Sequence, residues 1–410
     1  MAKLAILHFL PLEYYPPVTN FLDYLNSDHH NDFENIKVYS TYNIKERKEY
    51  RPLDKEVIGS IGKEVDRPEN STSVLKTKRS KNLITLYRSP FPKATNHSII
   101  RLLKYLHFNI FTLFGLVIYR PNSLLYFESY SAWPAYFYTR FFNRKCRIFI
   151  HNHEYADKKW YVTTMKQVRY FHQLERKWLY PRAVWNSQTN EDRLRLFWND
   201  HPKLKLESLK VMPNYPPKKW KESLLSPKIH DKHSINDPLK IVYIGSISFQ
   251  NTYILKFCNW IEEQNGEIIF DIYSYNLYED VKNFLRSLNS SYINYFEEGI
   301  EYSRIPEILN NYNVGVIFYT AYSDNVINCV SNKFYEYFAC GLDVWFSDIM
   351  RSTHSLVTKN TYPKVVPVDF EKLDEFDWQK AFDKEGFTNK PSEYYCEEVY
   401  EELVKELLKD

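Results

Sequence analysis

Two short stretches of the chain hold side chains whose types and spacing could do chemistry. In one, His151-Asn152-His153-Glu154 places two imidazoles and a carboxylate within four residues, just beyond the apolar run 147–150. An imidazole moves protons near neutral pH, and it can also orient or hydrogen-bond a hydroxyl. Two His and one Glu packed this closely lack the spacing of metal ligands on a helix, so no zinc site is expected. The other stretch is Asn332-Lys333-Phe334-Tyr335-Glu336. On a helix Asn332 and Glu336, four apart, share a face, and Lys333 and Glu336 are neighbours three apart. A carboxylate accepts hydrogen bonds from a diol, and an ammonium or amide beside it can meet a phosphate. Diol and phosphate occur together in a nucleotide sugar. The plain alternatives are two solvent-facing histidines in a loop and an ordinary surface ion pair.

The elements that must position these residues follow from hydrophobic periodicity. Residues 314–319 and 344–347 are apolar runs of buried-strand length, and between them 333–340 keeps Phe334, Phe338 and Ala339 on a helical pattern with Gly341 as the stop. That is a βαβ unit. In a parallel sheet, ligands gather at the carboxyl ends of strands, where helix N-termini favour anions. Further strand-like runs lie at 4–10, 36–40, 83–87, 124–127, 147–150, 183–185, 241–245, 268–273 and 293–296. Ser187 or Thr189 is the expected N-cap of the helix that follows 183–185. Gly245-Ser246 and Glu297-Glu298-Gly299 close strands as turns. The polar stretch 43–82 reads as an excursion with a partial helix, and 214–238, rich in Pro, Lys and Ser, as a linker. Strand and helix alternate on both sides of that linker, which predicts an α/β chain of two doubly wound parallel-sheet domains, 1–213 and 239–372. The closing segment 394–408 keeps Val399, Leu403 and Leu407 at helical spacing.

Residues 332–342, Asn-Lys-Phe-Tyr-Glu-Tyr-Phe-Ala-Cys-Gly-Leu, resemble the donor-site helix of GT-B-fold glycosyltransferases. The likeness is greatest to the retaining, nucleotide-sugar-dependent group, family 4-like and of the bacterial surface-polysaccharide type, which carries two glutamates eight positions apart. Glu336 matches the second, which in that family holds the ribose hydroxyls. Asn328 stands at the first, and Asp343 replaces the usual Pro after Gly-Leu. Pro213-Asn214 resembles the end of the family's first domain, and Gly245-Ser246 the glycine turn opening its second. Where an Arg and a Lys usually follow that turn and neutralise the diphosphate, this chain has Ser248, Gln250 and Asn251. Lys333 is the nearest replacement, and Lys256 lies further off. The resemblance implies two Rossmann-like domains facing a cleft, with C-terminal helices over 373–410 crossing back to the first. It implies transfer of a sugar from a nucleoside-diphosphate sugar to a glycan, lipid-linked or other hydroxyl acceptor, with retention and with no cofactor or metal required. His151, His153 and Glu154 become the catalytic candidates. Gly245, Ser246, Gly299, Asn328, Asn332, Lys333 and Glu336 become the donor-binding ones. A nucleotide-sugar isomerase or epimerase of the same fold is one alternative, and a non-catalytic partner protein, suggested by Asn328 and the missing Arg and Lys, is another.

The totals bound these readings. A chain of 410 residues suffices for two domains with cores of their own. Only 9 glycines against 35 tyrosines leave little room for Gly-rich phosphate loops. No dinucleotide fingerprint, P-loop, nucleophile elbow, His-Glu-x-x-His or Asp-x-Asp is present. A formal charge of +3 gives no case for nucleic acid as partner. Cys146, Cys258, Cys329, Cys340 and Cys396 include no Cys-x-x-Cys pair and suit reduced thiols in the cytoplasm. The run 4–10 reads as a first strand rather than a signal peptide, and no stretch reaches eighteen uninterrupted apolar residues. A helix over 99–119 sets Ile100, Leu103, Leu106 and Ile110 on one side and Arg101 and Lys104 on another. Packing on its own sheet is the first expectation for it. Peripheral contact with an anionic membrane, at the inner face, is the second, with Lys76, Lys78, Arg79, Lys81, Arg88 and Lys93 adding positive charge nearby.

Overall fold

The computed structural model describes residues 2–29, 31–42, 55–58, 63–64, 84–90, 97–223, 237–275, 277–320, 322–383 and 385–409. The chain forms two compact units, Met1–Pro213 with Glu397–Asp410, and Asn214–Cys396.

In the first unit β1 (Ala2–Pro11), β2 (Phe33–Tyr42), β3 (Lys55–Ile58), β4 (Lys63–Glu64), β5 (Ile84–Pro90), β6 (Ser123–Phe127), β7 (Arg147–Asn152), β8 (Trp185–Gln188) and β9 (Leu209–Val211) make one sheet. Its order is β4-β3-β5-β2-β1-β6-β7-β8-β9. Every pairing is parallel except β3 with β4. Leu4, Ala5, Ile6 and Leu7 are all buried, as a central strand covered on both faces requires. The chain winds from β1 through β2 to β5 and then returns to the other side of β1 as β6. That reversal is a topological switch point, where a parallel sheet leaves a crevice at its carboxyl end. Within 43–82 the described residues are the strands β3 and β4. The partial helix expected there, together with Lys76, Lys78, Arg79, Lys81 and Lys93, lies outside the described residues.

The helix Ser98–Tyr119 packs on this sheet through a different face from the one its spacing suggests. Tyr105, Phe108, Asn109, Thr112, Leu116 and Tyr119 are buried, whereas Ile100, Leu103 and Ile110 are exposed. The helix is apolar nearly all round, so periodicity alone does not select the inner face. Gly115 helps to decide it, because a Cβ there would lie 2.4 Å from the Tyr39 hydroxyl of β2. The final helix, Cys396–Leu407, belongs to the first unit from Glu397 onward. Leu403, Val404 and Leu407 are buried, Tyr400 Oη donates to Pro17 O at 2.7 Å, and Arg147 Nη2 meets Glu406 Oε1 at 2.6 Å. Residues 373–396, expected to cross with it, stay with the second unit.

The second unit holds β10 (Leu239–Ile244), β11 (Ile268–Tyr273), β12 (Ile293–Phe296), β13 (Val314–Ile317), β14 (Asp343–Ser347) and β16 (Val365–Val368) in one parallel sheet, plus a separate pair β15 (Thr361–Tyr362) and β17 (Thr388–Asn389). Its order β12-β11-β10-β13-β14-β16 reverses beside β10. One core, around Tyr243, Phe257, Phe270 and Phe318, covers one face, and another, around Phe334, Tyr337, Phe338 and Phe346, covers the other. Much of the proline-rich stretch, 224–236, lies outside the described residues.

Candidate functional site

At the switch point of the second sheet, the helix Asn332–Ala339 starts behind Ser331, whose side chain makes no capping bond. Its positive end therefore stands at the carboxyl ends of β10 and β13. From its first turn Lys333 reaches over the turn that follows β10. A Cβ on Gly245 would lie 2.5 Å from Lys333 Cε and 2.7 Å from Nζ, and Gly245 has φ +142°. Both the close approach and the dihedral call for glycine. The Lys333 ammonium donates to Tyr319 Oη at 2.8 Å and lies 5.4 Å from the ring centroids of Tyr243 and of Tyr319. Burial works against its charge, but Tyr319, Tyr243 and Glu336 outweigh that and hold its pKa above the ordinary lysine value. The turn is braced from within, because Tyr243 Oη donates to Ser246 O at 2.7 Å and Ile244 N–H donates to Tyr337 Oη at 2.9 Å.

One turn along the helix, Glu336 is partly buried, and burial pushes its carboxyl up to about 7 against the opposing charge of Lys333. Among the described residues no donor reaches that carboxylate with a hydrogen bond. Lys333 turns to Tyr319, so the ordinary surface ion pair is not what forms. Asn332 Oδ1 accepts from Asn214 Nδ2 at 3.0 Å. Gly245, Ser246, Lys333 and Glu336 are thus brought together, with Asn332 on the same helix. Asn328 ends the short helix Asp324–Ile327 and donates through Nδ2 to Asp324 O at 2.9 Å. Gly299, with φ +62°, closes the loop after β12, and the Tyr275 ring lies 2.7 Å from where its Cβ would be. Ser248 and Gln250 build their own turn, accepting from Asn251 N and Thr320 Oγ1, while Lys256 pairs with Glu371. Lys333 is accordingly the ammonium that covers the glycine turn.

The first sheet has its own constellation at its switch point. His151 lies inside β7 rather than beyond it, and both His151 and His153 are buried, which removes the solvent-facing loop reading. His151 Nδ1 sits 2.8 Å from Ser187 Oγ of β8, which also accepts from Trp185 Nε1 at 2.8 Å and donates to Ile150 O at 3.3 Å. With the hydroxyl proton directed to Ile150, the imidazole proton belongs on Nδ1, leaving Nε2 a bare acceptor with no partner among the described residues. Burial lowers the His151 pKa to about 3, so the ring is neutral. Ser187 is therefore a strand residue, and the helix Glu191–Asp200 is capped instead by Asn190, which accepts from Arg193 N at 2.8 Å.

Two residues that the sequence reading passed over complete the group. His8 of β1 is buried, bonds Leu10 O through Nδ1 at 2.7 Å, leaves Nε2 without a partner among the described residues, and is pushed by burial down to about 4. Its ring centroid is 6.2 Å from that of His153, which stacks on Phe127 at 5.2 Å and meets His151 edge-on at 4.7 Å. Glu128, directly after β6, has φ +60° and ψ 153°, a conformation almost confined to glycine that costs roughly 1–3 kcal/mol. Its carboxylate accepts His153 N–H at 2.7 Å and the N–H of Glu154. Burial and then the charge of Glu154 push the Glu128 carboxyl up to about 8. At neutral pH it holds its proton beside imidazoles that burial keeps neutral. Glu154 itself is exposed and acts on this group through Glu128. A carboxylate straight after the run 124–127 and a His inside the run 4–10 were visible signals; their adjacency was not. Among the described residues no group of three or more His, Cys, Asp or Glu could hold a metal ion.

No protein-family model and no curated protein matches the sequence. Solved structures do match it. The apo form of the lipopolysaccharide outer core galactosyltransferase WaaB superposes with a TM-score of 0.58 at 9% identity over 98% of this chain and 99% of that one. Anabaena HepE in complex with UDP and glucose gives 0.56 at 9% identity over 99% of each chain. The UDP-GlcNAc 2-epimerase from Neisseria meningitidis bound to UDP-GlcNAc gives 0.55 at 12% identity over 100% of both. At such identities the likeness concerns the fold, and the fold is GT-B, two parallel-sheet α/β units of Rossmann-like type.

Proposed function

We propose that the chain is a glycosyltransferase that takes a nucleoside-diphosphate sugar at the carboxyl end of its second sheet and passes the sugar, with retention, to a hydroxyl of a glycan or lipid-linked acceptor. The observation that carries this reading is the Glu336 carboxylate, partly desolvated yet without a donor among the described residues, one helical turn from an ammonium laid over a glycine turn. A carboxylate in that state is stabilised by a ligand that supplies hydroxyl donors, and a ribose diol supplies two. Lys333 and the amides of the glycine turn then meet the diphosphate, and the same positive charge stabilises it as it departs. Beyond that, catalysis consists of holding donor and acceptor in register. Uridine is the base to try first, since HepE and the 2-epimerase hold UDP compounds.

Calorimetric titration with UDP and with its 2′-deoxy analogue tests the assignment. A hydrogen bond to a charged group contributes roughly 1.5–3 kcal/mol, so Glu336→Ala should weaken UDP binding by about one to two orders of magnitude. Glu336→Gln should recover part of the loss, and the deoxy analogue should show a smaller difference between parent and variant. A folded Glu336→Ala protein that binds UDP as tightly as the parent would overturn the donor site.

A second reading has an observation of its own. Glu128, Glu154 and the buried imidazoles place proton donors and acceptors in one cluster, which suits an epimerase acting on a nucleotide sugar without any acceptor. Analysis of the sugar after incubation with UDP-GlcNAc alone separates the two. An epimerised product would replace the transferase reading, and unchanged donor with slow hydrolysis would sustain it.

A further inference from the structure

The helix Ser98–Tyr119 presents an apolar face that its own sheet does not cover. Ile99, Leu103, Ile110, Phe114 and Ile118 are between 44% and 79% exposed. Their spacings of four and seven residues set them in one stripe along the whole helix, where a water-facing side is ordinarily polar. At the C-terminal end of this helix Asn143 Nδ2 donates to Pro121 O at 3.2 Å, which fixes beside it a turn whose Phe141 and Phe142 are also exposed. The charge here is one-sided. Residues 97–147 contain seven Arg and Lys against a single acid, Glu128, and Arg101, Arg120, Arg144 and Lys145 are exposed.

We infer that this face docks on an anionic lipid surface. The helix lies parallel to the membrane plane, with the isoleucines and phenylalanines at the acyl boundary and Arg120, Arg144 and Lys145, at its C-terminal end, among anionic headgroups. With 22 residues and a mean hydropathy of 1.5 over an 18-residue stretch, the helix is long and apolar enough to span a bilayer. Its inner face is nevertheless committed to the sheet, with the Tyr39 ring pressed against Gly115. A second copy of the chain fits the face poorly, because a two-fold contact would set the same cationic rim against itself. Binding to lipid is expected without any nucleotide, so the assignment stands apart from the nucleotide-sugar reading.

Flotation of the full chain with vesicles of phosphatidylcholine, alone or mixed with phosphatidylglycerol, tests it. Binding should require the anionic lipid and fall as salt is raised. The double variant Ile110→Glu, Phe114→Glu should lose at least roughly ten-fold in binding, and each of Arg144→Ser and Lys145→Ser roughly five-fold, the factor for one cation near the surface. All of these positions are exposed, so the variants should melt with the parent. No binding by the parent protein, equal binding to neutral vesicles, or a dimer in solution that Ile110→Glu, Phe114→Glu dissolves would each overturn the inference.

Discussion

At Glu128 a strained backbone, two backbone donors and a raised carboxyl coincide, and the pH dependence of stability should show it. Its pKa is raised on folding from 4.5 to about 8, so the proton is held more tightly in the folded state. The resulting contribution is full below the ordinary carboxyl range and is lost as pH rises through about 8. Glu336, raised to about 7, acts in the same direction. His8 and His151 act oppositely, since their lowered values give stability that is present above 6.5 and lost as pH falls. Between 6.5 and about 8 the carboxyls therefore govern. Glu128→Gln, which keeps an acceptor for His153 N–H but cannot ionise, should flatten the decline of stability across that window in urea melts at stepped pH. An unchanged slope would mean that Glu128 is already ionised in the folded protein.

Helices and turns decide what those residues can reach. Gly245 joins β10 to its turn at φ +142° and leaves room for Lys333 from another element. Gly245→Ala meets both obstacles, so it should lower stability by about 1–3 kcal/mol and displace the ammonium from the turn. UDP binding should then weaken roughly ten-fold, about as much as in Lys333→Ala, because the same charge-assisted contact is lost in both. Titration of UDP into both variants checks this, and full affinity in Gly245→Ala would dissociate Lys333 from the phosphate. The helix Ser98–Tyr119 makes a related point about elements. Its existence and length were plain from the chain, but with apolar residues on both faces the inner one was settled by the close approach of Gly115 to Tyr39.

For the molecule as a whole, each unit has its own core, and the last helix completes the first of them. Removing Glu397–Asp410 deletes the buried Tyr400, Leu403, Val404 and Leu407 together with the bonds of Arg147 to Glu406. At about 1.5–3 kcal/mol for each buried apolar side chain, the loss rivals the usual stability of a domain, about 5–15 kcal/mol. Hydrogen exchange on the truncated chain should show lost protection in β1, β6 and β7 while β10, β13 and the helix Asn332–Ala339 remain protected and still respond to UDP. Equal loss in both units, or none, would contradict this division.

The alternation of apolar runs with helical patterns was enough to establish two parallel-sheet α/β units, and Asn332-Lys333 with Glu336 marked the helix at the end of the second sheet. Strand composition is a local property, so a single chain displays it. Other features depended on burial that hydropathy does not register. β8 runs over Trp185–Gln188 rather than 183–185 because Asn186, Ser187 and Gln188 are buried, Ser187 by its bonds to His151, Trp185 and Ile150. β16, Val365–Val368, went unanticipated for want of length. Only the crossovers decide which strand ends adjoin. They bring His8, Glu128 and His153 together from β1, β6 and β7, and they set Lys333 over Gly245, because neighbours in a parallel sheet are fixed by topology rather than by distance along the chain.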